Sequence, residues 1–298
     1  MVDLTGPRRN GQLTVTAAGQ LLLFRPGGAL SAFARGPNGY RAGAGDEPYI
    51  ALAPDGRQRG AGCSFGPDAV YALSLGSQPG VVMVDKYGRG RRFADLPTGE
   101  TPKGIAFDEV GRFGHSLLVT GADHGKTDVF ALDCRGRVRT LTRAAPRLEG
   151  GIVIAPRSFR RYAGQLIAPD ENSGKVIAID ARGVARTIAS SGLPTGGDVG
   201  IESAGFVPPR LGRAGAAYVA DRGVPGNPHP GTDSILMLRA TALARLGIAA
   251  GDLLIASEGG GKTVAVRCRT TCTVRHVADG PSVAHVEGHI VFGPVDAK

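Results

Sequence analysis

The sequence contains no tryptophan, and aromatic residues make up only 5% of its 298 residues. It also lacks an apolar run of about 18 residues, which a transmembrane helix requires, so we expect no membrane span. The net charge of +9 is of the kind that nucleic-acid-binding proteins carry. However, the basic residues stand in turns beside glycines, without interleaved aromatic side chains to stack on bases. We interpret them as a solvated basic surface and expect no nucleic-acid partner.

Stretches with helical periodicity are almost absent, since only residues 240–246 suggest a helix. Glycine is abundant at 47 residues and proline reaches 20, which indicates many turns between short elements. This composition is typical of a β-sandwich, barrel or propeller. No segment in the middle of the chain resembles a linker, so we expect one all-β domain over residues 1–298.

A glutamate at the start of a short apolar run recurs along the chain, and each run ends at a proline. The runs are YIALAP, GIVIAP, AGFVPP and HIVFGP, and the glutamates are Glu47, Glu149, Glu202 and Glu287. The runs are too short for helices and too apolar for loops, so they are predicted to be buried strands. A fifth copy, GIAFDE, keeps the strand but has Pro102 at the position of the glutamate.

Further apolar segments follow these runs at regular spacing and predict antiparallel strands in groups of four. Three of the third strands end in the same Asp-x-x-Gly turn, which suits a tight connection, at Asp85 to Gly88, Asp133 to Gly136 and Asp180 to Gly183. Four-stranded units repeated at roughly 40 to 50 residues are typical of a β-propeller.

We predict six blades, with five as the alternative if an innermost strand near Gly247 is missing. The strand after Glu202 is expected to share a blade with the segments AAYVADR and DSILMLRA. The C-terminal strand HIVFGP has no successors, and the segment from Leu13 to Arg35 supplies three strands without an innermost one. These two pieces are expected to close the ring by completing one blade together.

The predicted geometry places many carboxylates on one face of the propeller. In each blade, the first strand starts at the face on which the loop between the second and third strands lies. Those loops carry Asp123, Glu171, Asn172, Asp221, Arg222 and Glu258. Crowded carboxylates repel one another unless a cation or a proton lies between them. We therefore predict a metal site built from Glu47, Glu149, Glu202, Glu287 and Asn172.

The ligand types indicate which ion this site would hold. Carboxylate and amide oxygens favour a hard cation, so we predict Ca²⁺, with Mg²⁺ or Mn²⁺ as alternatives. His285, Glu287 and His289 alternate along one strand and so share a side of it, which would suit Zn²⁺. The alternative for the histidines is that His289 packs in the channel wall and His285 lies on the surface.

The chain resembles the six-bladed calcium-dependent propellers of the gluconolactonase, regucalcin and paraoxonase group, with strictosidine-synthase-like and NHL-repeat proteins as wider relatives. The resemblance implies one divalent ion at the channel mouth, with Asn172 and Asp221 matching the asparagine and the aspartate of that group. It also implies hydrolysis of a lactone or ester, in which Asp221 or His285 activates water. The ligand would contact Arg222, Asp123, Glu171, Glu258 and His289.

Whether the protein is an enzyme stays open from the sequence. The alternative is a non-catalytic, secreted binding propeller that recognises a glycan, peptide or protein at its acidic rim. The segment GVPGNPHPGTD after Arg222 is rich enough in proline and glycine to form a rigid recognition loop. We expect a monomer with a small-molecule or glycan ligand at the channel mouth.

All four cysteines can be placed in two disulfides. Cys268 and Cys272 flank a short turn between two predicted strands, and Cys63 and Cys134 fall on neighbouring blades at the face opposite the carboxylates. Reduced thiols at Cys63 and Cys134 are the alternative. Two disulfides favour a secreted or periplasmic protein whose signal peptide is absent from this sequence.

Overall fold

The computed structural model describes residues 1–35, 38–43, 45–54, 63–97 and 99–295. Regular structure in these residues is almost all β, in four separate four-stranded sheets and one seven-stranded sheet. The architecture is an all-β propeller of antiparallel four-stranded blades, as predicted. The α-helix α1 (Ala240–Arg245) lies where the sequence indicates it. No helix in the described ranges is long and apolar enough to cross a bilayer.

Four blades follow the chain in order. The first contains β1 (Asp3–Thr5), β2 (Leu13–Ala17), β3 (Gln20–Phe24) and β4 (Leu30–Ala34). The second contains β5 (Ile50–Leu52), β6 (Val70–Ser74), β7 (Gly80–Val84) and β8 (Gly90–Asp95). The third contains β9 (Thr101–Phe107), β10 (Leu117–Asp123), β11 (Lys126–Leu132) and β12 (Val138–Ala145). The fourth contains β13 (Val153–Ile154), β14 (Leu166–Asp170), β15 (Lys175–Ile179) and β16 (Ala185–Ser190), with a short 3-10 helix (Arg157–Tyr162) after β13.

The seven-stranded sheet consists of two antiparallel groups. One group has the order β17 (Ile201–Phe206), β20 (Leu253–Ser257), β21 (Thr263–Cys268) and β22 (Cys272–Ala278). The other has the order β23 (Val286–Pro294), β18 (Gly215–Asp221) and β19 (Ser234–Arg239). The groups are joined by one parallel pair, Ala204 with His289.

The chain ends close the ring in a different way from the predicted one. The first blade has its own innermost strand, because β1 pairs with β2 from Asp3–Thr16 to Thr5–Thr14. The C-terminal strand β23 instead pairs with β18. The prediction that the C-terminal strand completes the first blade was therefore wrong. It missed β1 because a strand of only three residues is too short to show a periodicity.

The strand assignment after Glu202 was also wrong. The expected partners AAYVADR and DSILMLRA are β18 and β19, but β17 pairs with β20. No strand forms near Gly247, because α1 and the turn after it occupy this part of the described chain. The chain therefore leaves β17, builds β18 and β19 in the neighbouring group, and then returns.

The three Asp-x-x-Gly turns have the predicted structure. In the first, Asp85 Oδ1 accepts hydrogen bonds from the backbone N–H of Tyr87 at 2.8 Å and of Arg89 at 3.0 Å. Asp133 and Asp180 make equivalent bonds in the next two blades. The aspartate thus satisfies backbone donors that the tight turn leaves unpaired.

Apolar side chains pack between neighbouring groups of strands. Six clusters of buried residues are present in the described ranges, and each fills one such interface. The largest contains an aromatic group in which Phe65, Tyr71 and Phe107 meet edge to face. Because each strand buries both faces between blades, the backbone edges of the innermost strands face the central channel.

The two predicted disulfides are present. Cys63 bonds to Cys134 and links the second and third blades, with their Cα atoms 5.9 Å apart. Cys268 bonds to Cys272 across the turn between β21 and β22.

Candidate functional site

Six buried or half-buried glutamates meet at the end of the channel where the innermost strands begin. Glu202 and Glu287 lie within β17 and β23, Glu47 and Glu149 precede β5 and β13, and two more follow the second strands of their blades. We call this set the carboxylate cluster: Glu47, Glu149, Glu171, Glu202, Glu258 and Glu287. The predicted convergence of carboxylates on one face is therefore present.

The hydroxyl of Tyr49 lies at the centre of the cluster. It is within hydrogen-bond distance of Glu202 Oε1 and 2.8 Å from Glu287 Oε2. A hydroxyl carries one proton, so it can donate to only one of two carboxylates, and the other must be protonated to donate to it.

The pKa values indicate that Glu202 is the protonated one of these two carboxyl groups. Burial, together with Glu287 and Glu149, raises the pKa of Glu202 well above its ordinary value. Burial acts on Glu287 in the same direction, but hydrogen bonding to His285 and the charge of Arg222 outweigh it and lower its pKa. Burial and both carboxylates raise the pKa of Tyr49, so its hydroxyl stays protonated.

Two cationic side chains hold Glu287 from the β18–β23 side. The guanidinium of Arg222 donates from Nη1 to Glu47 Oε1 and, at 3.1 Å, to Glu287 Oε1. His285 Nε2 is 2.7 Å from Glu258 Oε1 and 3.4 Å from Glu287 Oε1. Burial by itself lowers the pKa of His285, but its bonds to both carboxylates outweigh this and raise it to about 10.

Two further cations bind the opposite side of the cluster. Lys103 Nζ lies 3.6 Å from Glu149 Oε2. Arg147 lies 3.4 Å from Glu149 Oε1 through Nε and 3.1 Å from Glu171 Oε1 through Nη2. Burial raises the pKa of Glu149 to about 7, with Glu171 adding to the rise and Lys103 and Arg147 opposing it.

The charges of the cluster do not balance within the described residues. Six carboxylates face four cations, Lys103, Arg147, Arg222 and His285, which leaves two negative charges unmatched. One divalent cation or two protons would neutralise them. The raised pKa values of Glu202 and Glu149 show where protons bind when no cation does.

The donor set fits a divalent cation at one place. Carboxylate oxygens of Glu171, Glu202 and Glu258 lie within 4.8 Å of one another, and all three residues are buried. A second group with the same spacing is Glu258, His285 and Glu287, in which the histidine bridges the two carboxylates. Two buried atoms of the cluster, Glu149 Oε1 and His285 Nδ1, lack hydrogen-bond partners in the described chain. The all-oxygen group is the one that suits Ca²⁺.

Several predicted ligands lie elsewhere or are already bound. Glu47 and Glu287 bind Arg222, and Glu149 binds Lys103, so cations of the chain hold three of the four predicted glutamate ligands. In the all-oxygen group Glu171 likewise binds Arg147 and Glu258 binds His285, whereas Glu202 forms no ion pair with a described residue. Asn172 is exposed and donates from Nδ2 to Glu171 Oε1 at 3.3 Å, beside the cluster. Asp123 pairs with the exposed His124 at the end of β10.

Asp221 is fully buried, and its carboxylate is occupied by structural hydrogen bonds. It accepts from the backbone N–H of His285 at 2.8 Å, and from the backbone N–H of Thr232 at 3.0 Å and its hydroxyl at 2.5 Å. These contacts anchor the segment after Arg222 to the start of β23. This arrangement argues against the predicted role of Asp221 in activating water.

His289 packs in the channel wall, the alternative that the sequence left open. Its Nδ1 lies 2.9 Å from Asp3 Oδ2, and its Nε2 lies 3.0 Å from the carbonyl oxygen of Ile152. Because both neighbours are acceptors, both ring nitrogens must carry protons. Burial lowers the pKa of His289, but the charge of Asp3 outweighs this effect and raises it. This placement argues against its predicted contact with a ligand at the carboxylate cluster.

Tyr49 and His289 divide the channel. Their rings meet edge to face with centroids 6.2 Å apart. The Tyr49 ring reaches across to the fourth blade, where Gly150 lacks the side chain that would collide with it: a Cβ there would lie 2.2 Å from Tyr49 Cζ. Beyond His289 a cavity of about 1150 Å³, which we call the basal cavity, opens at the ends of the innermost strands. This cavity therefore lies on the other side of the divide from the carboxylates.

Sequence reasoning missed Tyr49, Lys103 and Arg147. Tyr49 stood inside a run that was interpreted only as strand, and Lys103 follows Pro102, where the repeat lacks its glutamate. A lysine beside the position where the repeat lacks its glutamate could have indicated a cation within the carboxylate cluster. Arg147 gave none, because its contact with Glu171 depends on how two loops fold together.

No protein-family profile and no curated protein matches this sequence. Solved structures do match. A protein from Thermus thermophilus assigned to oxidoreductases (glucose dehydrogenase) shares 16% identity over 96% of this chain and 86% of its own, with a TM-score of 0.54. Inactive virginiamycin B lyase from Staphylococcus aureus with quinupristin shares 12% identity over 98% of this chain and 91% of its own, with a TM-score of 0.51. Regucalcin from Agrobacterium tumefaciens, a calcium-binding protein, shares 14% identity over 90% of this chain and 77% of its own, with a TM-score of 0.47.

These likenesses establish the propeller fold and not an activity. The expected resemblance is confirmed at the level of the fold by the two matches with TM-scores above 0.5. Gluconolactonase and regucalcin structures are also among the matches. The roles of individual residues therefore depend on the geometry of this chain.

Proposed function

We propose that the carboxylate cluster is the site of a divalent-cation-dependent hydrolase that acts on a lactone or ester. The observation that carries this proposal is the approach of Glu171, Glu202 and Glu258 to within 4.8 Å, in a cluster with two unmatched negative charges. Calcium is the ion we propose, because all three ligands are carboxylates. When bound, the ion would polarise the carbonyl group of the substrate.

The residues around this place have distinct tasks in the proposal. His285, held as an imidazolium by two carboxylates, donates a proton to the leaving alkoxide oxygen. Glu149, whose pKa is raised to about 7 and whose Oε1 lacks a hydrogen-bond partner among the described residues, accepts the proton that the attacking water loses. Glu258 and Glu287 fix the imidazolium from two sides. Arg222 keeps Glu287 ionised, which preserves the charge that holds His285 in its protonated form.

Binding without turnover is the second candidate function. The supporting observation is burial: the side chains of Glu171, Glu258 and Glu287 are at most 7% exposed. A substrate would need the loops of this face to open. A cation that instead cross-links the blades would serve a binding propeller equally well.

We also propose a ring of six blades, with the seven-stranded sheet counted as two. Its two antiparallel groups share one parallel pair, and the six apolar clusters correspond to six interfaces around a ring. The two disulfides support an oxidising location outside the cytoplasm.

Thermal unfolding of chelator-treated protein, with and without calcium, tests the cation site. Bound cation should raise the free energy of unfolding by about 2.7 kcal/mol at a hundredfold excess over Kd. Glu202→Gln should abolish this rise, whereas the matched Glu109→Gln, outside the cluster, should keep it.

A screen of lactones and esters then tests hydrolysis. Calcium-dependent turnover that Glu202→Gln removes and Glu109→Gln retains would support the hydrolase. A calcium shift without turnover would favour the binding function, and no shift with calcium, zinc or manganese would overturn the cation site.

A further inference from the structure

The basal cavity opens on the face opposite the carboxylate cluster. Its walls are the ends of the innermost strands, and an apolar residue from each of five of them lines it: Leu52, Phe107, Ile154, Phe206 and Phe292. Its floor includes His289, whose charge is already balanced by Asp3. At about 1150 Å³, the cavity exceeds the range of about 300–1,000 Å³ that is usual for ligand pockets.

Backbone groups in the wall near β5 are already satisfied by the protein. The N–H of Ile50 donates to Asp3 Oδ2 at 2.7 Å, and the N–H of Leu52 donates to Thr5 Oγ1 at 2.8 Å. These side chains of β1 cover donors that would otherwise need water. An apolar ligand can therefore contact this wall without leaving these donors unpaired.

The rim of the cavity is basic. Three exposed arginines line it, and none forms an ion pair with a residue that the structure describes: Arg157, Arg210 and Arg213. The only acidic side chain among the lining residues described is Glu109. The turns on this face also carry Lys86, Arg89 and Arg135, whereas Arg137 and Arg182 of the same turns pair with Asp133 and Asp180. Arg157 Nη2 donates to the carbonyl oxygen of Val110 at 3.4 Å. An anionic group at this rim would meet guanidinium groups that have no carboxylate partner among the described residues, and such groups bind carboxylate oxygens in forked geometry.

We propose that the basal cavity binds an anionic amphiphile, with its apolar body in the cavity and its single anionic head group against Arg157, Arg210 and Arg213. Each part of this ligand matches one feature of the site. A neutral apolar molecule would leave the arginines unused, and a small hydrophilic anion would leave the apolar walls in water. This site is separate from the carboxylate cluster and does not depend on its function.

Fluorescence titration with anilinonaphthalene sulfonate, an anionic apolar dye, tests the site, with neutral N-phenylnaphthylamine in parallel and dodecanoate as competitor. We expect saturable binding of one sulfonate dye per chain, displaced by dodecanoate. Replacing the three rim arginines with glutamine should weaken the sulfonate dye by about tenfold or more and leave the neutral dye nearly unchanged. The matched control replaces three exposed arginines on outer strands: Arg91, Arg139 and Arg275.

A second variant tests the cavity itself. Val153 lines its wall and is half-buried, so Val153→Trp should fill the space and weaken both dyes, while thermal unfolding confirms that the variant is folded. The proposal would be overturned if the rim and control variants lost sulfonate-dye binding equally, or if dye binding survived Val153→Trp. Binding to phosphatidylglycerol vesicles that survives Val153→Trp, without dodecanoate displacing the dye, would show instead that this face docks on anionic membranes.

Discussion

His289 and Asp3 form a buried ion pair between residues that lie 286 positions apart in the chain. The same aspartate accepts the backbone N–H of His289 at 2.6 Å and of Ile50 at 2.7 Å, while His289 reaches the carbonyl of Ile152. The pair thus connects β1, β5 and β23 with the residue before β13. It links the first and last strands of the chain with the second and fourth blades around the channel.

Removing the carboxylate of this pair should destabilise the fold strongly. Asp3→Asn leaves a buried imidazolium without its counter-charge, which we expect to cost about 3–5 kcal/mol of unfolding free energy. Urea denaturation measures this, with Asp95→Asn on an exposed side chain as the control. If both variants unfold at the same urea concentration, the ion pair does not hold the strands together.

The same pair predicts a pH dependence of stability. The charge of Asp3 raises the pKa of His289 in the folded state. The stability that the pair contributes is therefore complete below the pKa of histidine in the unfolded chain, about 6.5. This stability should be lost as the pH rises from that value through the raised pKa of the folded state and the imidazole deprotonates. Urea denaturation at several pH values from 6 upward should show a decline that is smaller in His289→Gln. An equal decline in both proteins would contradict the assignment.

The raised pKa of Glu149 predicts that the free energy of unfolding also declines in a pH range below that of His289. Its pKa is raised to about 7, so the folded protein retains a proton that the unfolded chain releases near its ordinary value of 4.5. Unfolding therefore releases a proton between these pH values, and stability falls as pH rises. In Glu149→Gln this part of the decline should disappear. The check is the difference in unfolding free energy between the two proteins at pH 4.5 and 7, without divalent cations.

Gly150 should tolerate no side chain. A Cβ there would lie 2.2 Å from Tyr49 Cζ in a buried site, so Gly150→Ala should destabilise by about 1–3 kcal/mol through overpacking. Gly76→Ala is the matched control, because a Cβ at Gly76 meets nothing within 4 Å. Adding Tyr49→Ala should remove the penalty of Gly150→Ala. If the penalty stays, its cause is not the Tyr49 ring.

The two disulfides should differ in their contributions to stability. Cys63 and Cys134 are 71 positions apart, whereas Cys268 and Cys272 are 4 apart. Loop-closure entropy gives about 4 kcal/mol for the long loop and about 2 kcal/mol for the short one. Replacing each pair with alanine and measuring thermal unfolding checks this order. A larger loss for Cys268 and Cys272 would show that local geometry outweighs chain entropy.

Much of the fold was accessible from the sequence because its signals are local. Alternating apolar residues and Asp-x-x-Gly turns act within a few positions, so the strands, turns and blade pattern were predictable. The Glu repeat also indicated one acidic face, since a fixed register places equivalent residues at equivalent heights. Both disulfides followed from where the turns place cysteines.

The partners of those residues depended on the tertiary structure. The pairing of β23 with β18 follows from how the ring closes, and a three-residue strand at the N-terminus gives no signal for it. Lys103, Arg147, Arg222 and His285 neutralise four of the six charges of the carboxylate cluster because separate segments bring them there. Charges far apart in sequence interact only when the fold brings them within a few ångströms.

The sequence by itself therefore determined an all-β propeller with carboxylates gathered on one face, since both depend on short-range periodicity. Only the tertiary structure decided which carboxylates the chain's own cations bind, and that Tyr49 and His289 separate the carboxylate cluster from the basal cavity. Those outcomes depend on contacts across the channel, where side chains from different blades compete for the same space and charge.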